Sequence, residues 1–296
     1  MRTIQIGQKR NWRPNALATL AVAAGLVLAG TAGAGQAPAY TAPRTADGRP
    51  DLNGFWQAMN EAHWDLEGHV AAPGPLMEAG AAFVIPPGLG VVEDGPIPYQ
   101  AWAAAKKQEH FKNWLALDPE VKCFLPGVPR IMYMPYPTQF IQSQQIIMMV
   151  SQYAGALRTI YMDNHMESPA DTWMGWSNGH WDGETLVIET TGFVGVDTLN
   201  RIDTRWLDRA GNFFTEALRV VERITRIGPD HLHYEATIDD PKVYTRPWKI
   251  SMPLYRRLED NMQILELRCV EFVEDLMYGR SLTEANPLNS EREGVR

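Results

Sequence analysis

From Thr138 onward, apolar and polar residues alternate with a period of two, the repeat of a strand that buries one face. The alternation predicts strands at 138–142, 145–153 and 156–162, turning at Ser143-Gln144 and Ala154-Gly155. A hairpin around Asp182-Gly183 follows, since Asp-Gly between alternating runs is the strongest short turn signal. Further strands are predicted at 216–227, 231–238, 244–252 and 264–273, and a first one near Phe55, about ten in all. The stretch 98–117, opening on Pro98, carries the other periodicity, with Trp102, Phe111, Trp114 and Leu115 on one helical stripe and Lys106, Lys107 and Lys112 left wet. Residues 59–97 are rich in Gly, Pro and Ala and show little period, so they read as a long connection over the surface. Many evenly spaced strands with one helix predict a mainly β fold, an antiparallel up-and-down barrel occupying 40–296 as a single domain.

The first 39 residues fall outside that domain. Lys9, Arg10 and Arg13 precede a mildly apolar run from Ala16 to Ala29, and small residues permit cleavage after Ala34 or Ala39. The run is too short to span a bilayer, and no later apolar run reaches 18 residues, so the expectation is a periplasmic or secreted protein with no span in its mature chain. Removing Arg2, Lys9, Arg10 and Arg13 lowers Lys plus Arg from 27 to 23 against 35 acids, a net charge of about −12. Such a surface disfavours nucleic acid and anionic membranes. In an oxidising compartment Cys123 and Cys269 are expected to pair, whereas in a reducing one they would be buried thiols. Closing that loop would contribute roughly 5 kcal/mol by chain entropy, less any strain.

Gly54-Phe55-Trp56 resembles the Gly-x-Trp of lipocalins, whose Trp plugs the closed end of a barrel, and the strand count suits the same calycin architecture. The strings PRTADGRPDLNGFW (43–56), CFLPGVPR (123–130), GHWDGETLVIETTGF (179–193), WLDRAGNF (206–213) and HYEATIDDPKVYTRPW (233–248) resemble those of a large group of uncharacterised exported bacterial proteins. The resemblance covers nearly the whole mature chain and implies export, but no activity. Where similar proteins often carry His, this chain has Phe214.

Candidate chemistry follows from which face of a strand each polar residue occupies. Glu222 falls with Leu218, Val220 and Ile224 on an apolar face, where a carboxylate must be paired or titrate. Glu266 and Arg268 share the face of Ile264, Val270 and Phe272, so Arg268 could answer Glu222 as a ligand-facing charge or a structural partner. Asp208 next to Arg209 reads as an ion pair or as a base at the barrel mouth. His231, His233 and Glu235 share a strand face and could chelate a metal, yet Leu232, Tyr234, Ala236 and Ile238 claim the core, leaving the histidines to solvent. His63 and His69 read as loop histidines. Trp173, Trp176 and His180 lead into the hairpin and form a candidate cavity rim, with His165 on the preceding loop.

The chain lacks a Gly-x-Ser-x-Gly elbow, a phosphate loop, a dinucleotide fingerprint and a His-Glu-x-x-His pair. The sequence therefore predicts a barrel that binds a small apolar or aromatic molecule without a cofactor. The alternatives are a cofactor-independent lyase, isomerase or hydrolase working through Glu222, Asp208 or His233, and an envelope interaction module.

Overall fold

The computed structural model describes residues 40–74, 80–81, 84–163, 166–195, 205–270 and 273. Residues 1–39, expected to be a leader, His165 and the end of the strand expected at 264–273 lie outside or partly outside these. Eleven strands run in chain order: β1 (Gly54–Ala58), β2 (Thr138–Gln142), β3 (Ile146–Ser151), β4 (Leu157–Met162), β5 (Trp176–Asp182), β6 (Thr185–Thr191), β7 (Arg205–Trp206), β8 (Phe213–Phe214), β9 (Arg219–Gly228), β10 (His231–Asp239) and β11 (Trp248–Arg256). Nine of them close a barrel in the order β1-β11-β10-β9-β6-β5-β4-β3-β2, while β7 and β8 form a separate two-stranded excursion between β6 and β9. The mainly β fold and closed barrel expected from the alternation are thus present.

An odd number of strands cannot close with every neighbour antiparallel. The odd pairing falls between β4 and β5, which run parallel and pair only from Ile160↔Ser177 to Met162↔Gly179. Leu157, Arg158 and Thr159 of β4 therefore pass the chain entering β5 without a ladder partner there. This staggered seam leaves part of the barrel wall unladdered.

The bore is packed. The inward side chains of Phe140, Ile147, Ile160, Leu186, Val220 and Ile250 are buried, as befits a small barrel filled by its own residues. Trp56 is buried at the end where β9 turns into β10 and donates its indole N–H to the Leu52 carbonyl at 2.8 Å. The Arg256 guanidinium lies 4.5 Å from its ring centre. At the other end, Tyr133 donates to the Leu207 carbonyl at 2.8 Å, tying the 118–134 segment to the β7–β8 excursion.

Two expectations are corrected, the apolar stripe of the helical stretch and the late strand, while the long connection gains detail. The helical stretch divides into α1 (Ala101–Lys112) and α2 (Trp114–Leu117), and it buries Ala103, His110 and Leu115, whereas Trp102 and Phe111 are exposed. The connection 59–97 is tethered to the barrel: Glu93 donates to the Lys249 carbonyl and Ser251 to the Val91 carbonyl, prolonging the edge of β11 past the end of β1. Residues 264–270 form no strand. Because β11 already pairs with β10 and β1, the closed barrel offers that segment no edge to join. It is held instead by the Cys123–Cys269 disulfide, with S–S 2.04 Å, and by the Leu265 N–H on Gln152 Oε1 at 3.2 Å.

Candidate functional site at the barrel seam

The seam opens into a recess of about 490 Å3, walled by Leu125, Leu157, Tyr161, Trp173, Trp176 and Val194, with Arg158 and Ser177 at its base. The chain entering β5 is pinned to one side of it, because Thr172 donates to the Gly192 carbonyl and its own carbonyl accepts from Val194 N–H. Gly175 makes the approach possible at φ +67°, where a Cβ would stand 2.9 Å from the Thr191 carbonyl oxygen.

Two aromatic groupings line the recess. Trp176 stacks on Tyr161 with ring centres 4.5 Å apart and planes 15° apart. Trp173 packs on Phe124 at 4.7 Å, and the Arg205 guanidinium covers its ring at 3.9 Å. The indole N–H of Trp176 is buried and has no hydrogen-bond partner among the described residues, a condition that costs free energy.

Behind the aromatic wall, a polar network spans the bore. Arg158 grips Glu222 through both terminal nitrogens, donates from Nε to Ser177 Oγ at 3.0 Å, and reaches Thr190 Oγ1 at 2.8 Å. Tyr234 donates to Glu222 Oε1 at 2.9 Å, and its own hydroxyl pKa is pushed well up by burial and then by the Glu222 charge. Glu222 thus sits on the inward face that the alternation assigned to it, with Arg158 as partner rather than Arg268. Arg158 is legible by the same logic, since in β4 it shares a face with Ile160 and Met162, yet only a structure shows which cation meets which acid.

The remaining expected site residues are dispersed. Glu266 and Arg268 are exposed and pair with each other outside the barrel. His180 is exposed on β5, away from the recess. His231 and His233 lie on the outward face of β10; His233 approaches Glu235 at 3.9 Å, and the described residues hold no group of three or more metal-ligating side chains. Asp208 is not the partner of Arg209, which binds Glu120 Oε2 at 2.7 Å. It is fully buried at the β7–β8 turn, accepting from the backbone N–H groups of Leu66 (2.8 Å) and Asn212 (3.1 Å) and from Asn212 Nδ2. Burial first, and the nearby Asp65 second, push its carboxyl up to about 7. Glu222, Asp208 and His233 therefore occupy three separate places: bore, barrel end and outer face. Of the expected ligand residues, the structure brings together Trp173 and Trp176.

With known proteins the chain shows little overlap: it matches no protein-family model, and no curated protein is significantly similar to it. The seam recess must therefore be interpreted from its own chemistry.

Proposed function

We propose that the protein is an exported binder of small, flat, largely apolar molecules, aromatic ones above all, which it takes into the seam recess. One observation carries the reading: a recess of about 490 Å3 opens where the parallel pair leaves β4 unladdered, and its lining includes two tryptophans and a tyrosine beside aliphatic residues, with Asp171 among its polar groups. That volume suits a small organic ligand, and rigid aromatic faces beside a few polar groups are the usual lining of such sites. The Cys123–Cys269 disulfide supports an oxidising compartment, in keeping with the exported group the chain resembles. Acid–base catalysis in the bore has less support, because Glu222 is held by Arg158 and Tyr234 and neither His233 nor Asp208 lines the recess.

Intrinsic tryptophan fluorescence tests the proposal, with phenol and 1-naphthol as aromatic probes and cyclohexanol as an aliphatic one. The aromatic probes should quench saturably and bind more tightly than cyclohexanol. Loss of one stacked aromatic contact in Trp176→Ala should weaken binding by about tenfold, whereas His180→Ala should leave it unchanged. Equal affinity for all three probes, or an unaffected Trp176→Ala, would overturn the reading. Native mass spectrometry of protein isolated from its own compartment would then identify a copurified ligand.

A further inference from the structure

A second recess lies away from the seam, between the connection 64–72, its partner segment at Ile85, the helices α1 and α2, and the turn at Arg209-Ala210. It encloses about 140 Å3 and is mostly apolar, walled by Trp64, Phe111, Trp114, Val70 and Ile85. A cavity of this size holds a single benzene-sized ring. Trp64 and Trp114 meet edge to face, ring centres 6.2 Å apart. The segment carrying Val70 is held in place by paired backbone bonds between His69 and Gly88 and between Ala72 and Ile85.

Charge sets what this box accepts. Arg209 lies over Trp64 at 4.8 Å and over Trp114 at 5.2 Å, but it is bonded to Glu120 through both Nε and a terminal nitrogen. Arg130 is likewise committed to Asp118. Both ring nitrogens of His69 lie against carbonyl oxygens, of Glu67 at 3.1 Å and Pro86 at 3.2 Å. Lys107 lies above the Phe111 ring, 5.8 Å from its centre, and Glu67 and Asp208 add acid nearby. Asp65 is different: among the described residues its carboxyl accepts only from Glu67 N–H, at 3.0 Å on Oδ1. Burial raises the Asp65 pKa and the Lys107 charge works against that rise, but no cation hydrogen-bonds the carboxyl among the described residues. The box thus offers aromatic faces and one carboxylate oxygen without a hydrogen-bonded cation, the pairing that recognises an organic ammonium.

We propose that this recess is a second ligand site, taking a small primary amine with an aromatic or branched-alkyl body, its nitrogen on the free oxygen of Asp65 and its body against Trp64, Phe111 and Trp114. The ammonium gains an ion pair and ring faces together, while a carboxylate ligand would meet Asp65 head-on and find Arg209 already taken.

Calorimetric titration of the purified protein near neutral pH, with benzylamine, benzyl alcohol and benzoate as probes, tests this. Benzylamine should bind at least about tenfold more tightly than benzyl alcohol, and benzoate most weakly. Asp65→Asn keeps an oxygen for Glu67 N–H and should erase the amine preference while sparing benzyl alcohol. Phe111→Ala should weaken benzylamine, and Trp176→Ala, in the other recess, should not. Equal affinities, tighter benzoate, a preference that survives Asp65→Asn, an unaffected Phe111→Ala, or no saturation by benzylamine at about 10 mM would each overturn the proposal.

Discussion

At the residue scale, two buried groups at the barrel end pull stability in opposite directions as pH changes. Asp208 is held up to about 7 from an ordinary 3.8, so the folded protein keeps a proton there that the unfolded chain releases. Between those values its contribution falls as pH rises. His63 is lowered from 6.5 to about 3, by burial and then by the Arg209 charge, so the unfolded chain binds the extra proton and its contribution rises with pH through that window. The imidazole packs on Trp64 at 5.4 Å and its Nδ1 is buried without a partner among the described residues, which leaves a proton there with nothing to bond. Urea unfolding from about pH 4.5 to 6.5 should therefore show opposing slopes: Asp208→Asn makes stability rise more steeply with pH, and His63→Gln makes it fall. Matching slopes in the two variants would refute the assignment. Neither shift is legible in the sequence, where His63 reads as a wet loop histidine and Asp208 as the partner of Arg209, because burial by residues far along the chain decides both.

At the element scale, alternation placed β9 and β10 well. Leu232, Tyr234, Ala236 and Ile238 are all buried and His231, His233 and Glu235 face outward, as the pattern required. Alternation failed at 264–270, because a period of two says only that a strand would have two different faces, not that a ladder edge is free to receive it. The seam shows the converse. Neither β4 nor β5 carries a mark of parallel pairing, and the pairing follows from closing nine strands. Arg158 and Glu222 join β4 to β9 across the bore, each the other's charge partner. Glu222→Gln leaves the Arg158 charge buried without a carboxylate and should cost roughly 3–5 kcal/mol in urea unfolding. Replacing both with Met should restore much of that, since an uncharged pair has no buried charge to compensate. A single variant as stable as the parent protein would contradict this account of the seam.

At the scale of the whole molecule, the tail after β11 depends on a covalent tie. Residues 264–270 add no strand to the barrel, and the disulfide joins Cys269 to Cys123, beside the Phe124–Trp173 pair that backs the seam recess. Reduction should lower the urea midpoint, with the loop of 146 residues setting an upper scale of roughly 5 kcal/mol. It should also open 257–270 to limited proteolysis before the barrel is cut; equal resistance with and without reductant would show that packing alone holds the tail. By itself the sequence determined the strand-rich class, the inward and outward faces of the long strands, the helical stretch and the position of the two cysteines. Each of these rests on local periodicity or on residue type, which neighbouring residues specify. Only the tertiary structure decided the parallel seam, the Arg158–Glu222 pairing, the elevated carboxyl of Asp208 and the recess between Trp173, Trp176 and Tyr161. These depend on strand order and on burial by distant segments, and a one-dimensional pattern carries no information about which segments become neighbours.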